Sequence, residues 1–168
     1  SPLAKAHEYF VQKAQVAAQH LMGSAEESLA SDLELTGKNA WAKLHGSVTS
    51  QLVTPVPGRG ELPMSAVRAL AYDSDRAVRQ QAYEAELAGW KTVETTLAAS
   101  LNGIKGEVLT LSDRRGWGEP LDEALFGANI DRETLDAMLA AAKESFPHFR
   151  RYLRAKAKAL GQPELTRS

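Results

Sequence analysis

A helix that holds catalytic zinc needs the pattern His-Glu-x-x-His, because residues four apart share one face and the intervening glutamate can act on metal-bound water. His7-Glu8 opens that pattern, but Val11 stands where the second histidine belongs, so the motif is absent. His7 reads instead as a surface residue. His20, His45 and His148 occur singly, with no histidine or glutamate partner at ligand spacing, and read as satisfied or solvated side chains. No Gly-x-Ser-x-Gly elbow occurs, and Gly58-Arg59-Gly60 lacks the third glycine and the preceding strand of a dinucleotide loop. There is no cysteine, which excludes disulfides, thiolate metal sites and cysteine nucleophiles. The residues supply neither a catalytic group nor a set of metal ligands.

What remains is chemistry of contact. Gly103 and Gly106 lie within a long helical pattern, where each costs up to about 1 kcal/mol relative to alanine, so something must compensate. Close packing of another helix is one compensation. The other is that, with Asn102, they let a peptide or a neighbouring domain approach the backbone. Arg114-Arg115-Gly116-Trp117, at the end of the same helix, has two readings as well: the lining of a cleft through Arg115 and Trp117, or a cap that seals the core. Arg150, Arg151, Arg154, Lys156 and Lys158 cluster late in the last helix, where they either meet an anionic partner or simply complement the negative helix end, the plainer reading. Lysine and arginine total 20 against 21 acids, a net charge of -1, which removes the general electrostatic pull of a nucleic-acid binder.

The elements that would carry these residues are nearly all helical. From Pro2 to Met22, Leu3, Ala6, Phe10, Ala14, Ala17, Ala18 and Leu21 recur at helical spacing, and Gly23 ends the run. Ser24 followed by Glu27 reads as a capping box that starts a second helix, reaching about Leu33. Asn39 to Ser50 carries Trp41, Leu44 and Val48 on one face, with Trp41 as the anchor. Residues 51–63 hold three prolines and predict a small irregular hairpin. Ser65 to Ala71 allows two helical turns, and Tyr72-Asp73-Ser74-Asp75 then offers a cap for the longest helix, with Asp75 placed to suit the helix dipole. Its stripe of Tyr83, Leu87, Trp90, Val93, Leu97, Leu101, Ile104, Val108 and Leu111 predicts one face buried for about ten turns, closed by Gly116. A short helix over Leu121 to Phe126 follows. Asp131 caps the last helix, whose predicted buried stripe is Leu135, Met138, Leu139, Ala142, Phe146, Phe149 and Leu153, with a kink expected from Pro147 and a stop at Gly161 and Pro163.

At 168 residues, with 43 % hydrophobic and 24 % charged side chains, the chain suits one folded helical lobe spanning residues 1–168. No segment repeats at a fixed period, so the expected fold class is all-α, an irregular bundle with at most one β-hairpin near residues 51–63. No apolar run approaches the roughly 20 residues that span a bilayer, and the amino terminus lacks the order of a signal peptide, so no membrane partner is expected and a cytoplasmic setting is. The abrupt start at Ser1-Pro2-Leu3 suggests a portion of a longer protein.

The run Tyr72-Asp73-Ser74-Asp75-Arg76-Ala77-Val78-Arg79-Gln80-Gln81-Ala82-Tyr83-Glu84-Ala85, continued by Leu101-Asn102-Gly103-Ile104-Lys105-Gly106-Glu107-Val108-Leu109, resembles oligoendopeptidase F, among the thimet-oligopeptidase-like zinc peptidases. Arg114 to Trp117 with Pro120-Leu121, Asn129 to Leu135, and Phe149-Arg150-Arg151-Tyr152 resemble the same family in the same order, and Trp41 to Thr54 also fits. The resemblance implies a cytoplasmic metallopeptidase that hydrolyses short peptides in a channel between helical lobes. It implies zinc as the cofactor of the parent enzyme, held by His-Glu-x-x-His and a later glutamate downstream of the matched segments. No catalytic or metal residue carries over to this chain, and no cofactor is expected in it. The implied role is steric: part of a channel wall, with Asn102, Gly103, Gly106, Arg115 and Trp117 as substrate-facing residues. The implied partners are oligopeptides and the missing catalytic lobe, and a lobe stripped of its partner is expected to self-associate. A free-standing helical interaction module without enzymatic activity is the alternative.

Overall fold

The computed structural model describes Lys5 and residues 7–163. Its elements run α1 (Glu8–Gln19), α2 (Ser24–Glu34), α3 (Lys38–Gln51), β1 (Val53–Val56), β2 (Gly60–Pro63), α4 (Met64–Ala69), a 3₁₀ turn (Leu70–Tyr72), α5 (Arg76–Arg114), α6 (Pro120–Ala128) and α7 (Arg132–Ala159). The chain is thus all-α with one small antiparallel hairpin, as its periodicity predicts. It divides into two compact units, Ser1–Leu44 with Ala99–Asn129 and His45–Ala98 with Ile130–Ser168.

In the second unit the hairpin pairs Val53 with Pro63 and Val56 with Gly60. Pro55 is accommodated because alternation turns Thr54 and Val56 inward and leaves Val53 and Pro55 outside. Gly58 and Gly60 take positive φ at the turn, which a side chain would oppose. Leu52, Val56, Met64, Val67, Ala82 and Ala85 form the core, flanked by Leu62, Leu70, Trp90 and Val93. Thr54 is buried there and donates its hydroxyl to the Ala85 carbonyl at 3.1 Å. Arg79 steadies the turn before α5 by donating Nη1 to the carbonyls of Asp73 and Ser74. The cap is Asp75, which accepts from the Ala77 amide at 2.8 Å, as its position before the helix predicts.

The buried face of α5 differs from the stripe of large residues read in the sequence. Leu87 and Leu101 are exposed, and the remaining stripe residues are only half-buried. The buried positions belong to small residues: Ala82, Ala85, Gly89, Ser100 and Ser112. The physical reason is close approach, since a Cβ on Gly89 would lie 2.9 Å from Met64 Cε and 3.0 Å from Thr54 Cβ. The predicted buried stripe of α7 is also overturned. Met138, Leu139, Phe146, Phe149 and Leu153 are all exposed, Leu135 is half-buried, and only Ala157 on this helix is buried. The helix continues through Pro147. Its amphipathic pattern is real, but nothing among the described residues covers it to the depth a core requires.

In the first unit, α1 buries no residue, and Phe10 and Leu21 of its predicted stripe are exposed. Leu3 and Ala6 lie outside the described residues. The second helix also starts differently from the expected capping box. Its N-cap is Gly23, whose amide donates to Glu26 at 3.0 Å, one residue earlier than the Ser24–Glu27 pairing. Glu27 is released for another partner.

Candidate functional site

The residues singled out by sequence lie on α5 and the turn after it, within the first unit. They are not gathered at one point: Gly103 and Arg115 are twelve residues apart, which along a helix is roughly 18 Å. Asn102 is exposed, and beyond Gly106 a side chain would meet nothing within 4 Å, so both face open space. Gly103 is different. A Cβ there would lie 2.6 Å from Cδ1 and Nε1 of Trp41, so the absent side chain is what admits the indole. The sequence left two compensations open for these glycines, and at Gly103 helix packing supplies one.

At the far end of α5 the chain closes with paired bonds: the Trp117 amide donates to Ser112 O at 3.0 Å and the Gly116 amide to Asp113 O at 3.0 Å. Gly116 adopts φ of 70°, the left-handed residue that such a helix stop needs. This turn fixes Arg115 and Trp117. Arg115 donates Nε and Nη2 to the two carboxylate oxygens of Glu27, at 3.1 and 2.8 Å, a bidentate pair that a lysine cannot reproduce. Glu27 also accepts from the Met22 amide at 3.1 Å. The bond from Arg115, aided by that amide, holds the Glu27 carboxyl below its ordinary value, and the same bond raises Arg115.

Trp117 stacks on His20, with ring centres 3.5 Å apart and planes within 7°, and lies 5.4 Å from the ring of Phe126. His20 Nδ1 is 3.1 Å from the carbonyl of Arg115, the distance of a hydrogen bond from the Nδ1-protonated ring. Lys13 sits 5.2 Å over Phe126, and both Lys13 and Tyr9 donate to Asn129 Oδ1. Beneath them Ser112 is almost fully buried, its hydroxyl 3.1 Å from Glu123 Oε2. At the other end of this unit, Glu107 accepts from the Lys38 amide and so caps α3 from a distant part of the chain.

Sequence reasoning did not select His20, Glu27, Glu107 or Phe126. His20 carries no spacing signal, and Glu27 reads in sequence as part of a local cap. Their partners are 88 residues or more away in the case of Arg115 with Glu27, and 95 for Arg115 with His20, so no local pattern reports them.

Chemically the arrangement is a braced polar and aromatic surface. His20 is engaged by Trp117 and by the Arg115 carbonyl, and among the described residues no three His, Cys, Asp or Glu side chains come together as a metal site. Among the described residues no helix is long and apolar enough to cross a membrane.

An all-α bundle interrupted by one short hairpin, with its longest helix running 39 residues, is the architecture that the elements define. A solved structure, that of oligoendopeptidase-F from Enterococcus faecium, has this fold: it superposes with a TM-score of 0.82 at 17 % sequence identity, over 98 % of this chain. The chain spans 34 % of the length of that protein. No family model matches the sequence, and no curated protein matches it.

Proposed function

We propose that this chain is a non-catalytic helical portion of a zinc-dependent oligoendopeptidase, forming part of the channel wall that admits short peptides and excludes folded proteins. The observation that carries this reading is the pair of coverages: nearly all of this chain is matched by one third of a known oligoendopeptidase-F. On this reading the metal and the bond-breaking groups belong to the remaining two-thirds, the setting is cytoplasmic, and the partners are oligopeptides and that catalytic lobe. Asn102 and Gly106 are the open positions of the wall. Gly103 acts through the indole it admits, and Arg115 and Trp117 are held rigid by Glu27 and His20.

The exposed face of α7 supports the same reading. Met138, Phe146, Phe149, Tyr152 and Leu153 leave on one helix a row of large side chains that water opposes, as expected where another lobe belongs. The same face is what favours the second reading, a free-standing module that binds a protein partner. Metal content and turnover test the first reading. Purified chain supplied with zinc and a quenched oligopeptide is expected to retain no stoichiometric metal and to release no fluorescence. One zinc per chain with steady hydrolysis overturns the assignment.

A further inference from the structure

In the second unit a cleft of about 490 Å³ opens between α4, the 3₁₀ turn and the first turns of α5. That volume lies in the range of small-molecule sites. Its floor is apolar, with Val67 and Ala82 almost completely buried. Its walls carry Arg68, Arg79, Tyr72 and Tyr83, with Glu86 beside Arg68.

The two arginines are used differently. Arg68 donates Nε to Glu86 at 2.8 Å and lies 5.5 Å from the ring centre of Trp90. Its charge is therefore matched by a carboxylate. Arg79 is half-buried and, among the described residues, engages only through Nη1, which donates to the carbonyls of Asp73 at 2.9 Å and Ser74 at 3.1 Å. Among the described residues no carboxylate lies within ion-pair range of it. A guanidinium held in place by two neutral acceptors retains its charge, and its Nε and Nη2 edge remains a ready fork for a planar anion. With Arg68 and Glu86 cancelling, the lining carries one net positive charge, which one carboxylate neutralises, whereas a doubly charged phosphate would leave a second, desolvated negative charge unmatched. Tyr72, 92 % exposed beside the cleft, offers an aromatic face and a hydroxyl at the rim.

We propose that this cleft binds a monocarboxylate carried on an apolar body, the chemistry of the C-terminal residue of a short peptide. Arg79 takes the carboxylate, and the apolar side chain lies on Ala71 and the ring faces of Tyr72 and Tyr83, above the buried Val67 and Ala82. The proposal does not depend on the peptidase reading, since the cleft lies apart in sequence from Asn102 to Trp117 and its occupant is read by binding alone.

The test titrates the full chain with N-acetyl-leucine, N-acetyl-leucinamide and inorganic phosphate, following amide chemical shifts. Saturable binding of the acid is expected on the order of millimolar, the scale for one small ligand. The shifts should centre on residues 67–86, with the uncharged amide weaker by roughly tenfold through loss of a charge-assisted bond, and phosphate weaker by a similar factor because it has no apolar body to bury. Arg79→Gln should remove the preference for acid over amide, and Arg79→Lys should restore part of it. Because Arg79 also steadies a turn, Tyr72→Phe supplies a second arm that removes the rim hydroxyl and, on so exposed a side chain, leaves the packing. It should weaken the acid about threefold, consistent with losing one neutral hydrogen bond. Equal binding of acid and amide, phosphate binding as tight as the acid, or Arg79→Gln and Tyr72→Phe both binding as the parent does, each overturn the proposal.

Discussion

Two glycines three residues apart on α5 should respond to the same substitution with opposite signs. At Gly103 a new Cβ would stand 2.6 Å from two atoms of the Trp41 ring, about an ångström inside van der Waals contact. The indole is rigid and cannot yield at its far end as a methionine can, so either Trp41 leaves its place or α3 and α5 separate locally. Such overpacking costs about 1–3 kcal/mol, and removing glycine from a helix interior returns about 1 kcal/mol at most. Steric cost wins, and Gly103→Ala should lose roughly 1–2 kcal/mol. At Gly106 nothing lies within 4 Å of the added carbon, so only the helix-propensity term operates and Gly106→Ala should gain roughly 0.5–1 kcal/mol. For a chain of this length each kcal/mol moves the melting temperature by about 2–4 °C. Thermal unfolding followed by far-ultraviolet circular dichroism reads both shifts, and tryptophan fluorescence reports whether Trp41 has moved. A Gly103→Ala variant as stable as the parent, with unchanged fluorescence, would refute the reasoning, as would a destabilised Gly106→Ala.

Other outcomes follow from particular contacts. Because Arg115 holds Glu27 below its ordinary value of 4.5, Glu27 contributes stability that is present above that value and lost as pH falls through its folded value. Glu27→Gln should therefore flatten the acid limb of a stability-versus-pH curve, and an unchanged limb contradicts the pairing. Asp131 caps α7 by accepting from the Thr134 amide at 2.7 Å; the Thr134 side chain first, and that amide second, lower its pKa, so this cap weakens on acidification in the same direction. Amide exchange at Thr134 should accelerate in Asp131→Ala, and protection equal to the parent denies the cap. Gly89→Ala, with its new carbon against Thr54 in the core, should cost about 1 kcal/mol net of helix propensity, measured by urea unfolding. The uncovered row on α7 should drive self-association, visible as concentration-dependent mass in sedimentation, and Phe149→Glu should reduce it.

Elements and stops were largely legible because they rest on local chemistry. Asp75 and Asp131 cap where a short acceptor precedes a helical pattern, Gly116 ends α5 with the positive φ only glycine takes easily, and the prolines of residues 51–63 yield a hairpin. Which face is buried was less legible. Periodicity marks a stripe without saying what covers it, so Leu87 and Phe149 were expected inside although Ala82, Ser100 and Ser112 are the buried positions. Small residues carry little hydrophobic signal, yet they decide how closely helices approach. The pairing of Glu27 with Arg115 and the stack of His20 on Trp117 join residues far apart in the chain, and no spacing rule connects them.

The direct test of whether this chain is the non-catalytic portion of an oligoendopeptidase is the sequence of its natural reading frame past the codon for Ser168. The account predicts that the frame continues past Ser168 and encodes His-Glu-x-x-His with a later glutamate, in a protein of which this chain is about one third. A stop codon directly after Ser168, or a long continuation without that motif, contradicts it.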